Sequence, residues 1–140
     1  MSPSVNEKEV RITRNAVKIK KILDGTFPES WGWFDIIASI IVPGYKWYMV
    51  DDVAVCCVVR CPRKNHVAMF GVLPEYQRRG YGSLLMQEVF KQSKESRKKT
   101  TLMVRESNPA REIYAHYGFV EMKRIKGYYK NGEVGYYCER

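Results

Sequence analysis

The chain has 140 residues, 45% of them hydrophobic, and 24 Lys and Arg against 15 Asp and Glu give it a formal charge of +9. That length fits one domain spanning residues 1–140, and that apolar content excludes a disordered chain. The positive field attracts polyanions, whether nucleic acid, an acidic partner protein or a phosphorylated cofactor.

Lys8–Thr13 alternates as a short strand would, and Arg14–Asp24 reads as a basic helix stopping near Gly25. GTFPES is a loop broken by Pro28, and Trp31–Val42 is a second helix ended by Pro43-Gly44. No apolar run reaches the roughly 18 residues of a membrane span. The longest, FDIIASIIVPGY, is interrupted by Asp35, Pro43 and Gly44. The segments YKWYMV and VAVCCVVR, joined by an acidic DD turn, read as two strands, the second apolar on both faces as a central strand is. CPRKN is a turn, HVAMFGVL a strand, Ser83–Phe90 a helix and Thr100–Arg105 a strand. Asn108 is a favourable N-cap, Pro109 suits a first helical turn, and Gly118 suits the helix end. Phe119–Ile125 is a strand, and GYYKNGEVGYYC is a hairpin around Asn131-Gly132.

This order predicts an α/β fold: a mixed, mostly antiparallel sheet with helices on both faces. The strand–helix–strand over 66–105 forces one parallel crossover. The polar opening MSPSVNEKEV has no secretory-leader pattern, and the cysteines Cys56, Cys57, Cys61 and Cys138 form no CxxC pair. They read as reduced packing residues of a cytoplasmic protein without a metal site. Cys56 and Cys57, adjacent on a strand, point to opposite faces.

The stretch YQRRGYGSLL stands at the strand-to-helix turn. A helix start offers unpaired N–H groups and partial positive charge, and glycine lets backbone approach a ligand. A phosphate or pyrophosphate fits there, with Arg78 and Arg79 as counter-charge. A Walker A loop fails because Ser83-Leu84 follows Gly82, and a dinucleotide fingerprint fails because its third glycine site is Leu85. What remains is Gln77-Arg78-Arg79-Gly80-Tyr81-Gly82, which on its own is also compatible with a basic tight turn.

VLPEYQRRGYGSLLM, with NPAREIYAHYGF some thirty residues on, resembles the GCN5-related N-acetyltransferase (GNAT) superfamily from about Tyr45 to the C-terminus. Within it, LMVRESNPAREIYAHYGF and GYYKNGEVGYY are similar to protein N-terminal (Nα) acetyltransferases, the ribosomal-protein type included. The resemblance implies acetyl-CoA as cosubstrate. Its pyrophosphate would lie on Gln77, Arg78, Arg79, Gly80, Tyr81, Gly82 and Ser83. Its pantetheine arm would run along Phe70, Gly71 and Val72, with Gly71 marking a bulge where strands splay. Asn108, Ala110, Tyr114 and Tyr117 would complete the cofactor site. It further implies a peptide-binding role for Phe27, Pro28 and Glu29 of DGTFPESW and for Tyr128 or Tyr129, with Glu29 and Asp35 able to attract an ammonium group.

Moving acetyl from a thioester to an amine requires a neutral amine, a stabilised oxyanion and a proton for the departing thiolate. Tyr114 matches the family's acid, and its phenol can donate to sulfur; from spacing alone it is also a core aromatic in line with Ala110, Ile113 and Tyr117. A backbone N–H near Val72 is the expected oxyanion donor. Where relatives often carry Glu or His as base, this chain has Met103. His66, where some relatives place a catalytic tyrosine, is the candidate base; otherwise the amine arrives neutral, which suits a peptide α-amine better than lysine. The acceptor is therefore expected to be a protein or peptide N-terminus, and the molecule a monomer or homodimer without membrane or nucleic-acid partners. A small-amine acetyltransferase (polyamine or aminoglycoside), a non-catalytic acetyl-CoA binder and a nucleic-acid binder are the alternatives.

Overall fold

The computed structural model describes residues 9–27 and 31–140. Its strands are β1 (Arg11–Thr13), β2 (Tyr45–Val50), β3 (Ala54–Arg60), β4 (Lys64–Val72), β5 (Lys99–Arg105), β6 (Val120–Ile125) and β7 (Gly135–Glu139). The helices are α1 (Ala16–Thr26), α2 (Trp33–Ile41), α3 (Tyr81–Glu95) and α4 (Ala110–His116). The strands form one sheet in the order β1-β2-β3-β4-β5-β7-β6. The expected element order and helices on both faces are borne out, with α1 and α2 over one face and α3 and α4 over the other.

Alternation along β3 builds both cores. Ala54, Cys56 and Val58 pack under α3 with Leu85, Met86 and Val89. Val55 and Cys57 pack under α1 and α2 with Ile19, Ile22, Leu23 and Ile36. The two adjacent cysteines do face opposite ways. Each of the buried Val, Leu, Ile and Met side chains contributes about 1.5–3 kcal/mol. Asn15 caps α1 by accepting from the Lys18 N–H at 3.1 Å. Trp47 Nε1 donates to Ser39 Oγ at 2.9 Å, which ties α2 to β2.

Among the described residues the one parallel pair, β4 with β5, runs only from Lys64↔Lys99 to Val67↔Leu102. Beyond it β4 stays with β3 and β5 stays with β7, so a wedge opens between them. The closed end is locked from α3. Ser93 Oγ accepts from Asn65 Nδ2 at 3.1 Å and from Thr100 Oγ1 at 2.7 Å, and all three residues are buried. Asn65 and Thr100 are partners across the parallel ladder.

Two expectations need correction. The register shift falls between Cys57 and Val58, which pair with Met69 and Val67, so Ala68 is the bulged residue and Gly71 pairs regularly with Val55. Gly71 is glycine because α1 presses on it: a Cβ there would stand 3.1 Å from the Phe27 ring and 3.2 Å from the Thr26 methyl. The final hairpin is also wider than GYYKNGEVGYYC implies. β7 pairs with β6 from Val120↔Glu139 to Ile125↔Gly135, leaving Tyr128 and Tyr129 in the connection. The Asn131-Gly132 turn closes within that loop, with Gly132 N–H donating to Tyr129 O at 2.8 Å and Gly132 at φ 85°.

Ser93→Ala strands the buried Asn65 and Thr100 donors and is expected to cost about 1–3 kcal/mol in urea unfolding. Lys91→Ala, on the exposed side of the same helix, is expected to change it by no more than about 0.5 kcal/mol.

Candidate active site

The loop between β4 and α3 is held in an anion-cradling shape by two left-handed residues, Arg78 at φ 63° and Gly80 at φ 88°. A positive φ costs arginine about 1–2 kcal/mol, so the surrounding contacts hold it there. The first bond of α3 runs from Leu84 N–H to Gly80 O at 3.1 Å, which leaves the Gly82 and Ser83 N–H groups without an intrahelical acceptor. The two glycines do different work. Gly80 supplies the backbone angle, since nothing lies within 4 Å of a Cβ built there. Gly82 lets the helix start sit on β4, since its Cβ would stand 3.2 Å from the Phe70 ring. Arg79 stacks over the Tyr76 ring at 5.6 Å, and Tyr81 packs edge-on against the same ring at 5.9 Å.

Gln77 reaches back, its Nε2 donating to Val72 O at 3.1 Å. Leu73 N–H donates to Val53 O at 2.9 Å, so antiparallel alternation turns the Val72 amide away from β3 and toward the wedge. Phe70 and Val72 are half-buried along the wedge wall.

On the α3 side, Tyr114 packs against Phe70 at 6.4 Å and Phe119 at 5.9 Å between ring centres. Burial, followed by the neighbouring Cys56, Cys138, Tyr129 and Tyr117, pushes its phenol well above the ordinary tyrosine range. It therefore keeps its proton at neutral pH. Its helix is fixed by Arg111, whose Nε and Nη2 fork onto the Glu121 carboxylate of β6 at 2.8 and 3.0 Å. Asn108 Oδ1 accepts from Ala110 N–H at 2.8 Å, which is the expected capping contact. Tyr117 lies one turn on, packed against Phe90 at 6.2 Å.

On the other face, alternation places His66, Thr101, Met103 and Arg105. His66 lies one residue before the end of the parallel ladder, and its Nδ1 is 2.8 Å from Thr101 Oγ1. Burial and then Lys64 lower its pKa below 6.5, so the ring is neutral at physiological pH. Met103 follows on β5, opposite Tyr137 of β7. Beyond it opens a groove of about 590 Å³, walled by Trp31, Asp35 and Tyr45 on one side and by Arg105, Tyr129 and Lys130 on the other. Arg105 stacks at 4.0 Å over the Tyr129 ring and pairs with Glu133 at 3.3 Å. Tyr128 is half-exposed and packs edge-on against Tyr129 at 4.9 Å.

The structure thus brings the loop residues, Phe70, Val72, Tyr114 and His66 around one wedge, with Tyr129 at the adjoining groove. Phe27 does not line that groove; it ends α1 and packs into the core over Gly71. Pro28 and Glu29 lie outside the described residues. Trp31, Arg105 and Thr101 carry no sequence signal of a role, because distant segments bring them to the site. Burial pushes the Cys57 thiol up to about 12 and the Cys138 thiol up to about 11, which suits packing residues.

A central sheet opened by one divergent parallel pair, with a glycine loop at its mouth, defines an α/β fold with an anion cradle beside a strand gap. The sequence pattern of the Acetyltransferase (GNAT) domain matches residues 40–132, and the chain belongs to that family. It is similar to an N-alpha-acetyltransferase of Sulfurisphaera tokodaii, 34% identical over 103 residues covering 71% of this chain. That stretch spans 60% of the relative's own length. Among solved structures, the ribosomal-protein-S18-alanine N-acetyltransferase of Escherichia coli superposes with a TM-score of 0.83 at 20% identity, over 95% of this chain and 92% of that one. Arabidopsis thaliana Naa50, bound to the bisubstrate analogue CoA-Ac-MVNAL, superposes with a TM-score of 0.78 at 20% identity, over 95% and 97%. Among the described residues, no helix is long and apolar enough to cross a membrane.

Gly80→Ala forces a Cβ onto a left-handed residue without any clash, at about 1 kcal/mol. Calorimetric titration with coenzyme A is expected to show weaker binding for this variant, while its unfolding midpoint falls only slightly.

Proposed function

We propose that the chain acts as one acetyl-CoA-dependent Nα-acetyltransferase domain over residues 1–140, with a peptide or protein N-terminus as acceptor. The observation that carries the reading is the wedge itself, open between β4 and β5 with the cradle of left-handed Arg78 and Gly80 at its mouth. A pyrophosphate on the Gly82 and Ser83 N–H groups, flanked by Arg78 and Arg79, leaves an extended arm free to run down β4. The names of the relatives support this choice of cosubstrate and acceptor.

The acceptor enters through the opposite groove, past Trp31, Asp35 and Tyr129. Among the described residues, Asp35 offers the one carboxylate on that wall and suits an incoming ammonium group. The Val72 amide, aimed at the wedge, is placed to receive the oxyanion, and Tyr114, which keeps its proton, gives it to the departing thiolate. No acidic side chain stands where Met103 is. A peptide α-amine, with pKa about 7.7–8.0, is neutral often enough near pH 7.5 to attack unaided, and the extra proton its nitrogen carries after attack passes to solvent, whereas lysine at about 10.4 is seldom neutral. The small-amine alternative fits less well, since a cationic polyamine would meet Arg105 and Lys130 in the groove.

Free-thiol release with acetyl-CoA and a peptide panel tests the reading, and tight coenzyme binding without turnover on any amine contradicts it. Tyr114→Phe is expected to lower kcat about 10²- to 10⁴-fold with little change in coenzyme affinity. The rate kcat/KM is expected to rise with pH through about 7.7–8.0, following the acceptor's own amine; a plateau already reached at pH 6.5 would show that an enzyme base takes the proton.

A further inference from the structure

His66 was the candidate base, and its surroundings argue for the opposite duty. Thr101 is completely buried, and among the described residues its hydroxyl has one partner, His66 Nδ1 at 2.8 Å. A hydroxyl can donate or accept, but a buried O–H left without an acceptor costs about 1–3 kcal/mol. Were Nδ1–H the donor, the Thr101 proton would have no acceptor among the described residues. Were Thr101 the donor, both its buried hydroxyl and the His66 Nδ1 would be satisfied, and the single ring proton would sit on Nε2, which has no partner among the described residues.

We infer that Thr101 fixes His66 as the Nε2–H tautomer, so that His66 presents a proton to substrate and serves as a neutral hydrogen-bond donor, not as the base. The inference rests on reading the wedge between β4 and β5 as the cofactor channel. An arm running from the glycine loop down β4 reaches its closed end beside His66, one residue before the last parallel pair, Val67↔Leu102. There the Nε2–H faces away from Thr101 and can donate to a substrate carbonyl oxygen. Thr101 is a positioning residue that acts through the ring. The charged and titratable groups around the pair are Lys64 on β4, Lys99 on β5, and Tyr137 and Glu139 on β7. They are paired among themselves: Lys64 Nζ with Tyr137 Oη at 3.2 Å, Lys99 Nζ with Glu139 Oε1 at 3.2 Å, and Tyr137 Oη with Glu139 Oε2 at 3.4 Å. None of these contacts supplies Thr101 with an acceptor. The absence of a base at Met103 and the tautomer of His66 then have one consequence: the acceptor amine sheds its proton to solvent before it attacks.

Long-range ¹H–¹⁵N correlation NMR on protein labelled at histidine nitrogen reads the tautomer directly at pH 8. The chain has two histidines, so His116→Gln assigns the signals. The expected result is a protonated Nε2 and a bare Nδ1 for His66; a proton on Nδ1 overturns the inference. Thr101→Val, close in shape, is expected to release the preference and move both nitrogen signals toward the averaged position of mixed tautomers, and unchanged signals would count against the inference. In turnover assays His66→Gln, which keeps an N–H donor, is expected to stay within about tenfold of the parent while His66→Ala falls further. Equal losses of 100-fold or more in both variants would restore the base role. The spectroscopic result stands even if no amine is acetylated, so failure of the acetyltransferase reading and failure of the tautomer assignment remain distinguishable.

Discussion

Everything at this site depends on a parallel strand pair that is held shut at one end and kept apart at the other. β4 and β5 share four residue pairs. The buried Asn65–Ser93–Thr100 cluster ties that end to α3, where a strand slip would expose three polar groups to an apolar core. Past Val67 the bulge at Ala68 bends β4 along β3, while β5 follows β7. Each diverging strand keeps its outer partner, and the inward-facing peptide groups of β4 are left available to a ligand. The wedge is thus a gap in a hydrogen-bond ladder, and an extended cofactor arm with its own amide groups can fill it as a strand would.

The two faces of the sheet divide the chemistry across that gap. Phe70, Tyr114 and the loop lie toward α3, with a phenol whose proton is held by burial. His66, Thr101, Met103 and Arg105 lie toward α1 and α2, in line from the closed end of the wedge to the groove. Cofactor and acceptor can therefore arrive from opposite sides and meet only where the strands part. Under the proposed function, a neutral histidine and a thioether on the acceptor side would leave selectivity for an α-amine to amine basicity.

Much of this was legible in the residues. Strand and helix order, the parallel crossover and the cap at Asn108 all follow from patterns within a few residues, and local chemistry decides them. The strand-to-helix turn at Gly80 and the helix that carries Tyr114 were legible because their own neighbours define them. What escaped depends on packing between distant segments. Gly71 looked like a bulge, yet its missing side chain is explained by Phe27 and Thr26 of α1. The Asn131-Gly132 turn was visible, but not that β7 would pair with β6 across a longer loop and leave Tyr128 and Tyr129 off the strands. Thr101 gave no signal, because only the parallel register sets it beside His66.

The most direct test of the account is product analysis by mass spectrometry on peptides that carry both a free N-terminus and an internal lysine, incubated with acetyl-CoA at pH 7.5. Acetyl groups confined to the α-amine are the predicted result. Acetylated lysine side chains at a comparable rate would contradict it, because the proposed mechanism gives an amine that basic no dedicated proton acceptor.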